Sequence, residues 1–100
     1  MNATRTRAIE ELRRIVLAAL SDHDAAIYLF GSCARDEARQ HSDIDIGIMP
    51  RDDLPSAFFA LLAEDIEEST IPYDGDLVDL RRADPALMAE VRREGVKWRE

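Results

Sequence analysis

Two aspartates separated by one residue carry the clearest chemical signal in this sequence. Asp43 and Asp45 lie in a segment that alternates strictly, with Ile44, Ile46 and Ile48 at the intervening positions. Because residues two apart on a β-strand point to the same side, we expect both carboxylates to project together, about 6 to 7 Å apart along the backbone. Two acids held in this way repel each other unless a cation lies between them. The expected cation is Mg²⁺, which takes oxygen ligands and bridges carboxylates to substrate phosphates.

A glycine and a serine precede this pair in the chain. Gly31 and Ser32 directly follow an apolar, β-prone run and are separated from Asp43 by ten residues. A glycine at the end of a strand lets the backbone approach a phosphate closely, and the following turn offers N–H groups and a hydroxyl to its oxygens. Taken alone, an Asp-x-Asp tripeptide is most often a solvated strand face and Gly-Ser is most often a turn. Their combination predicts a phosphate site beside a metal site.

Hydrophobic periodicity predicts the elements that must position these residues. A small mixed sheet with helices packed on it, an α/β fold of the α+β kind, is expected from their order, with residues 1–100 forming one domain. In chain order the pattern predicts a helix (Thr4 to Ser21), a strand (Ala25 to Phe30), a helical turn (Cys33 to Ala38), a strand (Asp43 to Met49), a helix (Pro55 to Glu68), a strand (Asp76 to Leu80) and a helix that begins after Asp84 and ends at Gly95.

The overall charge and composition limit the classes of partner. The chain has 21 acidic residues against 13 Lys and Arg, a net charge of −8, which repels a nucleic-acid backbone and favours a protein partner. Cys33 is the single cysteine, and the sequence has no long apolar run or leader, so we expect a reduced, cytoplasmic protein without a membrane segment. One hundred residues suit one modest core and no second substrate domain, so whatever the protein acts on must largely bring its own surface.

The joint pattern resembles the nucleotidyltransferase superfamily that includes DNA polymerase β, and most closely its minimal (MNT) branch. That family has Gly-Ser-x-Ala-Arg-Gly, a short loop and then Ser-Asp-x-Asp, and residues 31–35 and 42–45 match this signature. The likeness continues through residues 71–73, 76–80 and 93–95. The sequence departs at Asp36, where the family usually has glycine, and an added carboxylate there would repel a triphosphate.

The resemblance implies a role for each residue of the signature. Asp43 and Asp45 would bind two Mg²⁺ ions, and Asp76 would complete the metal that activates the acceptor hydroxyl or act as its base. Asp79 is the alternative third carboxylate, but its strand parity is opposite to that of Asp76, and alignment with the family favours Asp76. Arg35 has a second interpretation as an ion pair with a neighbouring acid on a helix surface. The residues expected to contact the nucleotide are Gly31, Ser32, Arg35 and Ser42.

The resemblance also implies a reaction, in which an acceptor hydroxyl attacks the α-phosphorus of a nucleoside triphosphate, expected to be ATP, and pyrophosphate leaves. Three hypotheses follow. The first is an enzyme resembling MNT antitoxins, which transfer AMP to a helical HEPN ribonuclease toxin. The second is a nucleotidyltransferase for small molecules, although such enzymes usually carry an extra helical domain. The third is a non-catalytic antitoxin that acts by contact alone. Each hypothesis is compatible with an oligomer.

Overall fold

The computed structural model describes residues 3–31, 43–71, 73 and 75–99. The α/β class and the mixed sheet expected from the sequence are confirmed, whereas the helical turn predicted over residues 33–38 lies outside the described residues. In chain order the elements are α1 (Ala3–Ala19), β1 (Ala25–Phe30), β2 (Ile44–Pro50), α2 (Ser56–Glu67), β3 (Gly75–Asp79), a 3₁₀ helix (Leu80–Arg82), α3 (Pro85–Glu94) and β4 (Val96–Arg99).

The four strands form one sheet in the order β3-β2-β1-β4. β1 pairs antiparallel with both β2 and β4, whereas β2 and β3 run parallel. In this register Phe30 lies opposite Asp45, and Asp45 lies opposite Asp76. The end of β1 and the beginnings of β2 and β3 therefore meet at the same end of the sheet. β3 and β4 are its outer strands.

The larger core lies on the face that the alternation in β2 predicts to be apolar. Ile44, Ile46 and Ile48 are fully buried there, because α1 and α2 cover this face. α1 contributes one side chain per turn at a spacing of four residues, as an amphipathic helix packed on a sheet requires. The buried apolar residues of α1 are Ala8, Leu12, Val16 and, just after its end, Leu20.

A smaller core lies on the opposite face, where Asp45 and Gly47 point. Phe30, Leu80 and Val91 form its buried centre, so the 3₁₀ helix and α3 cover part of this face. Leu80 can lie across β2 because Gly47 has no side chain: an added Cβ would be 2.9 Å from the nearest methyl carbon of Leu80. The missing side chain thus allows the chain that follows β3 to fold back over the sheet.

We expect Gly47→Val to destabilise the protein by about 1 to 3 kcal/mol, the usual range for added volume in a packed core. Valine favours strands, so intrinsic propensity alone predicts the opposite sign. The contact with Leu80 decides the result, because Leu80 is only 1% exposed and has little room to move. Urea denaturation measures the change in the free energy of unfolding. A variant as stable as the parent would show that Leu80 can shift without loss of stability.

The ends of α3 follow the sequence prediction. The Asp84 side chain accepts a hydrogen bond from the Leu87 amide at 2.8 Å, and Pro85 occupies the first turn. Gly95 caps the C-terminus of α3, with an extended backbone and a hydrogen bond from its amide to the Val91 carbonyl. β4, which was not predicted, follows at once. Among the described residues, no helix is long and apolar enough to span a bilayer.

Candidate active site

The three aspartates identified from the sequence lie at one end of the sheet. Asp43 immediately precedes β2, Asp45 is the second residue of β2, and Asp76 is the second residue of β3. Asp45 and Asp76 are register partners on parallel strands, so their side chains share a face and their backbones are about 5 Å apart. Asp43 and Asp76 are exposed, and Asp45 is half-buried. The structure therefore places both acids of the β2 segment beside the preferred third carboxylate.

Asp79 lies on the other face of the sheet, as its strand parity predicts. It is the register partner of Ile48, and its side chain is only 15% exposed. The Arg81 guanidinium donates to both carboxylate oxygens, with Nε to Oδ1 at 3.0 Å and a terminal nitrogen to Oδ2 at 2.8 Å. The Arg81 amide also donates to Oδ1, and the guanidinium lies 5.9 Å from the centre of the Phe59 ring. Asp79 thus joins the end of β3 to the 3₁₀ helix and α2.

We expect Asp79→Asn to lower the urea midpoint at pH 7 and to have a smaller effect at pH 3. The side-chain hydrogen bonds from Arg81 hold the pKa of Asp79 below its ordinary value of 3.8. A carboxyl with a lowered native pKa contributes stability above its unfolded pKa, and this contribution is lost as the pH falls through the native value. Denaturation at both pH values tests this. Asp76→Asn is the control, because Asp76 is exposed, and an equal loss of stability in both variants would contradict the assignment.

Gly31 brings the end of β1 into close contact with the face of the sheet that carries Asp45. Its φ is +74°, in the left-handed region that favours glycine, and a Cβ at this position would lie 2.2 Å from Oδ2 of Asp45. Glycine is therefore required twice, once for the backbone conformation and once for the space that the Asp45 carboxylate occupies. The first residue expected to contact phosphate and the central carboxylate are thus placed against each other.

The donor set of the site fits Mg²⁺ in its chemistry. Asp43, Asp45 and Asp76 offer only carboxylate oxygens, the ligands that Mg²⁺ prefers, and they share one end of the sheet. Across the ranges that the structure describes, no three His, Cys, Asp or Glu side chains are already gathered at metal-binding distance. Side-chain rotation would have to bring the three carboxylates together around an ion. Ser32, Arg35 and Ser42 lie outside the described residues, and their nucleotide contacts stay predictions.

Comparison with known proteins identifies the family of this chain. The family model described as polymerase β, nucleotidyltransferase, matches residues 17–97. A curated relative, the protein adenylyltransferase MntA of Shewanella oneidensis, is 39% identical over 69 residues, which cover 69% of this chain and 49% of the relative. The chain therefore spans about half the length of the curated relative that it matches.

Solved structures show the same fold. A protein assigned as a minimal nucleotidyltransferase superposes with a TM-score of 0.73 at 30% identity, covering 90% of this chain and 92% of the other. A toxin–antitoxin complex with AMP-PNP contains a chain with a TM-score of 0.69 at 32% identity, over 86% and 71% of the two chains. A tri-AMPylated HEPN toxin of Shewanella oneidensis in complex with MNT antitoxin gives 0.63 at 30% identity, over 89% and 70%.

Proposed function

This chain belongs to the polymerase β nucleotidyltransferase family, and we propose that it transfers AMP from ATP to a hydroxyl side chain of a HEPN-type toxin, which it inactivates as an antitoxin. The observation that carries the proposal is the register of the sheet, which sets Asp45 beside Asp76 and against Gly31. The similarity to protein adenylyltransferase MntA and to complexes with a HEPN toxin supports protein as the acceptor. The proposed reaction would take place in the cytoplasm, because ATP and the RNA that such a toxin would cleave are found there.

Each residue of the site has a distinct task in this reaction. Asp43 and Asp45 would hold Mg²⁺ ions, together with Asp76. When bound, the ions neutralise phosphate charge and lower the pKa of the attacking hydroxyl. Asp76 lies exposed on the outer strand, where the acceptor can reach it, and would take the proton of the hydroxyl. The Gly31 backbone, which has no side chain, lets the triphosphate approach the end of β1.

The product explains how transfer would inhibit the target. A phosphodiester-linked AMP adds a negative charge to the modified side chain. Near the site of a ribonuclease this charge would repel the phosphates of RNA, because both groups are anionic. Modification would therefore block RNA binding without unfolding the toxin.

The proposal is tested by searching the reading frames beside this gene for a HEPN-type protein and by intact-mass analysis of that partner after incubation with this protein, ATP and Mg²⁺. We expect mass increments of one or more AMP groups with the parent and none with Asp43→Asn. An unmodified partner in both reactions, with toxicity still suppressed by Asp43→Asn, would instead support an antitoxin that acts by contact alone. An unmodified partner whose toxicity persists would contradict both functions.

A further inference from the structure

The order of the strands gives the reaction a direction across the sheet. Gly31 lies at the end of β1, Asp45 on β2 and Asp76 on β3, and β1 and β3 flank β2 on opposite sides. In phosphoryl transfer the attacking and leaving oxygens are roughly in line on opposite sides of the phosphorus. If the leaving pyrophosphate is held at Gly31, as the proposed function requires, the acceptor hydroxyl must approach from the β3 side.

A groove lies along β3 on that side. Its volume is about 450 Å³, and its lining begins at Leu77, the residue next to Asp76. β3 is an outer strand of the sheet that the described residues form, so within those residues the backbone N–H and C=O groups on its outer edge have no strand partner. The groove and the outer edge of β3 thus begin beside Asp76, the preferred third carboxylate. The other lining residues are Val78, Asp79, Arg82, Ala83, Asp84 and Leu87.

The groove is mainly apolar, and its charged groups are not equivalent. Asp79 is neutralised by Arg81, and Asp84 accepts the hydrogen bond that caps α3. Arg82 is exposed and, within the described ranges, donates no side-chain hydrogen bond. Arg82 acts electrostatically on Asp79, but its guanidinium is exposed and can also contact a ligand, although the chain as a whole has a net charge of −8. An acidic side chain on the ligand would complement Arg82.

We propose that this groove binds an extended segment of the acceptor protein, which adds as a strand to the outer edge of β3 and places its hydroxyl at Asp76. Strand addition satisfies the unpaired backbone groups of the edge, and the apolar lining takes alternate side chains of the segment. From Asp76 to Asp79 the strand rises about 10 Å, so a few residues of the segment pair there. An acidic residue of the segment contacts Arg82. This inference rests on the proposed function.

Steady-state kinetics with the HEPN-type acceptor of the transfer assay tests the groove. Arg82→Glu should raise the KM for the acceptor at least tenfold, with the kcat at saturation and the affinity for AMP-PNP close to those of the parent. Ala83→Trp, which fills the groove, should act in the same direction. Arg13→Glu is the charge-matched control, since Arg13 is exposed on α1, and should leave the KM unchanged. Thermal melts establish that each variant is folded.

Hydrogen exchange gives a second measurement of the same contact. In the complex, amides of residues 77–79 should become protected relative to the free protein. A parent that transfers AMP, combined with an unchanged KM in both groove variants and no protection of β3, would overturn the inference and leave the proposed function standing. A parent that transfers no AMP to the acceptor would overturn both.

Discussion

Asp76→Asn is expected to abolish AMP transfer while nucleotide binding stays close to that of the parent. The substitution removes a charge and preserves the shape of the side chain. Asp76 lies across β2 from Gly31, and in the proposed reaction this is the acceptor side, so its loss should affect the attacking hydroxyl and not the triphosphate. Loss of metal and base function at this position is expected to raise the barrier by about 4 kcal/mol, which corresponds to a roughly thousandfold lower kcat.

Asp79→Asn is the matched control for this prediction. Both residues lie on β3 and both changes remove one negative charge, but Asp79 faces the α1 and α2 side and contacts Arg81. We expect its kcat to remain within a few-fold of the parent under conditions where the variant is folded. Single-turnover transfer with AMP-PNP binding measured in parallel separates chemistry from binding. If Asp79→Asn were inactive and Asp76→Asn active, the third carboxylate would be Asp79.

Gly31→Ala is expected to damage the site by a different route. Alanine at φ +74° costs about 1 to 2 kcal/mol in backbone strain. Its Cβ would also lie 2.2 Å from Oδ2 of Asp45, so either the carboxylate or the end of β1 must move. A displacement of about 1 Å at reacting groups lowers rates by on the order of a hundredfold. We therefore expect a loss of kcat of at least that size together with weaker ATP binding.

Gly75→Ala is the control for the effect of an added methyl group. Gly75 precedes Asp76 at the same end of the sheet, but its φ is not positive, and an added Cβ would lie 3.2 Å from a methyl carbon of Ile66. A shift of a few tenths of an ångström accommodates this contact, so the rate should fall much less than in Gly31→Ala. Isothermal titration with AMP-PNP and transfer assays compare the two. Equal losses would show that the contact of Gly31 with Asp45 has no special role.

Local patterns in the sequence were sufficient to predict much of this fold. The run Ala25 to Phe30 was predicted as a strand with the same bounds that the structure has, because apolar β-prone residues end abruptly at Gly31. The alternation after Asp43 predicted which face of β2 is buried. Asp84 followed by proline predicted the start of α3, since a side-chain cap and a first-turn proline are local signals.

Features that depend on distant parts of the chain were not predicted. β4 has four residues and forms only by pairing with β1, as where Lys97 lies opposite Tyr28, and no local pattern reveals such a partner. The approach of Leu80 to Gly47 likewise depends on tertiary packing. In the site, strand parity correctly predicted that Asp76 and Asp79 lie on opposite faces of the sheet. The pairing of Asp45 with Asp76 could not be predicted, because it depends on the register of two strands that are far apart in sequence.

That register has a consequence for how errors in folding would affect the enzyme. A slip of β3 by one residue would turn Leu77 toward the face that carries Asp45 and would turn Asp76 toward the larger core. The number of hydrogen bonds between β3 and β2 would stay nearly the same. The misaligned protein would be compact but would lack the proposed activity. The Leu80 contact over Gly47 and the approach of the Arg81 guanidinium to the Phe59 ring oppose this slip, since both join the chain that follows β3 to other elements. The alignment of the proposed catalytic carboxylates is thus maintained in part by side chains that lie outside that set.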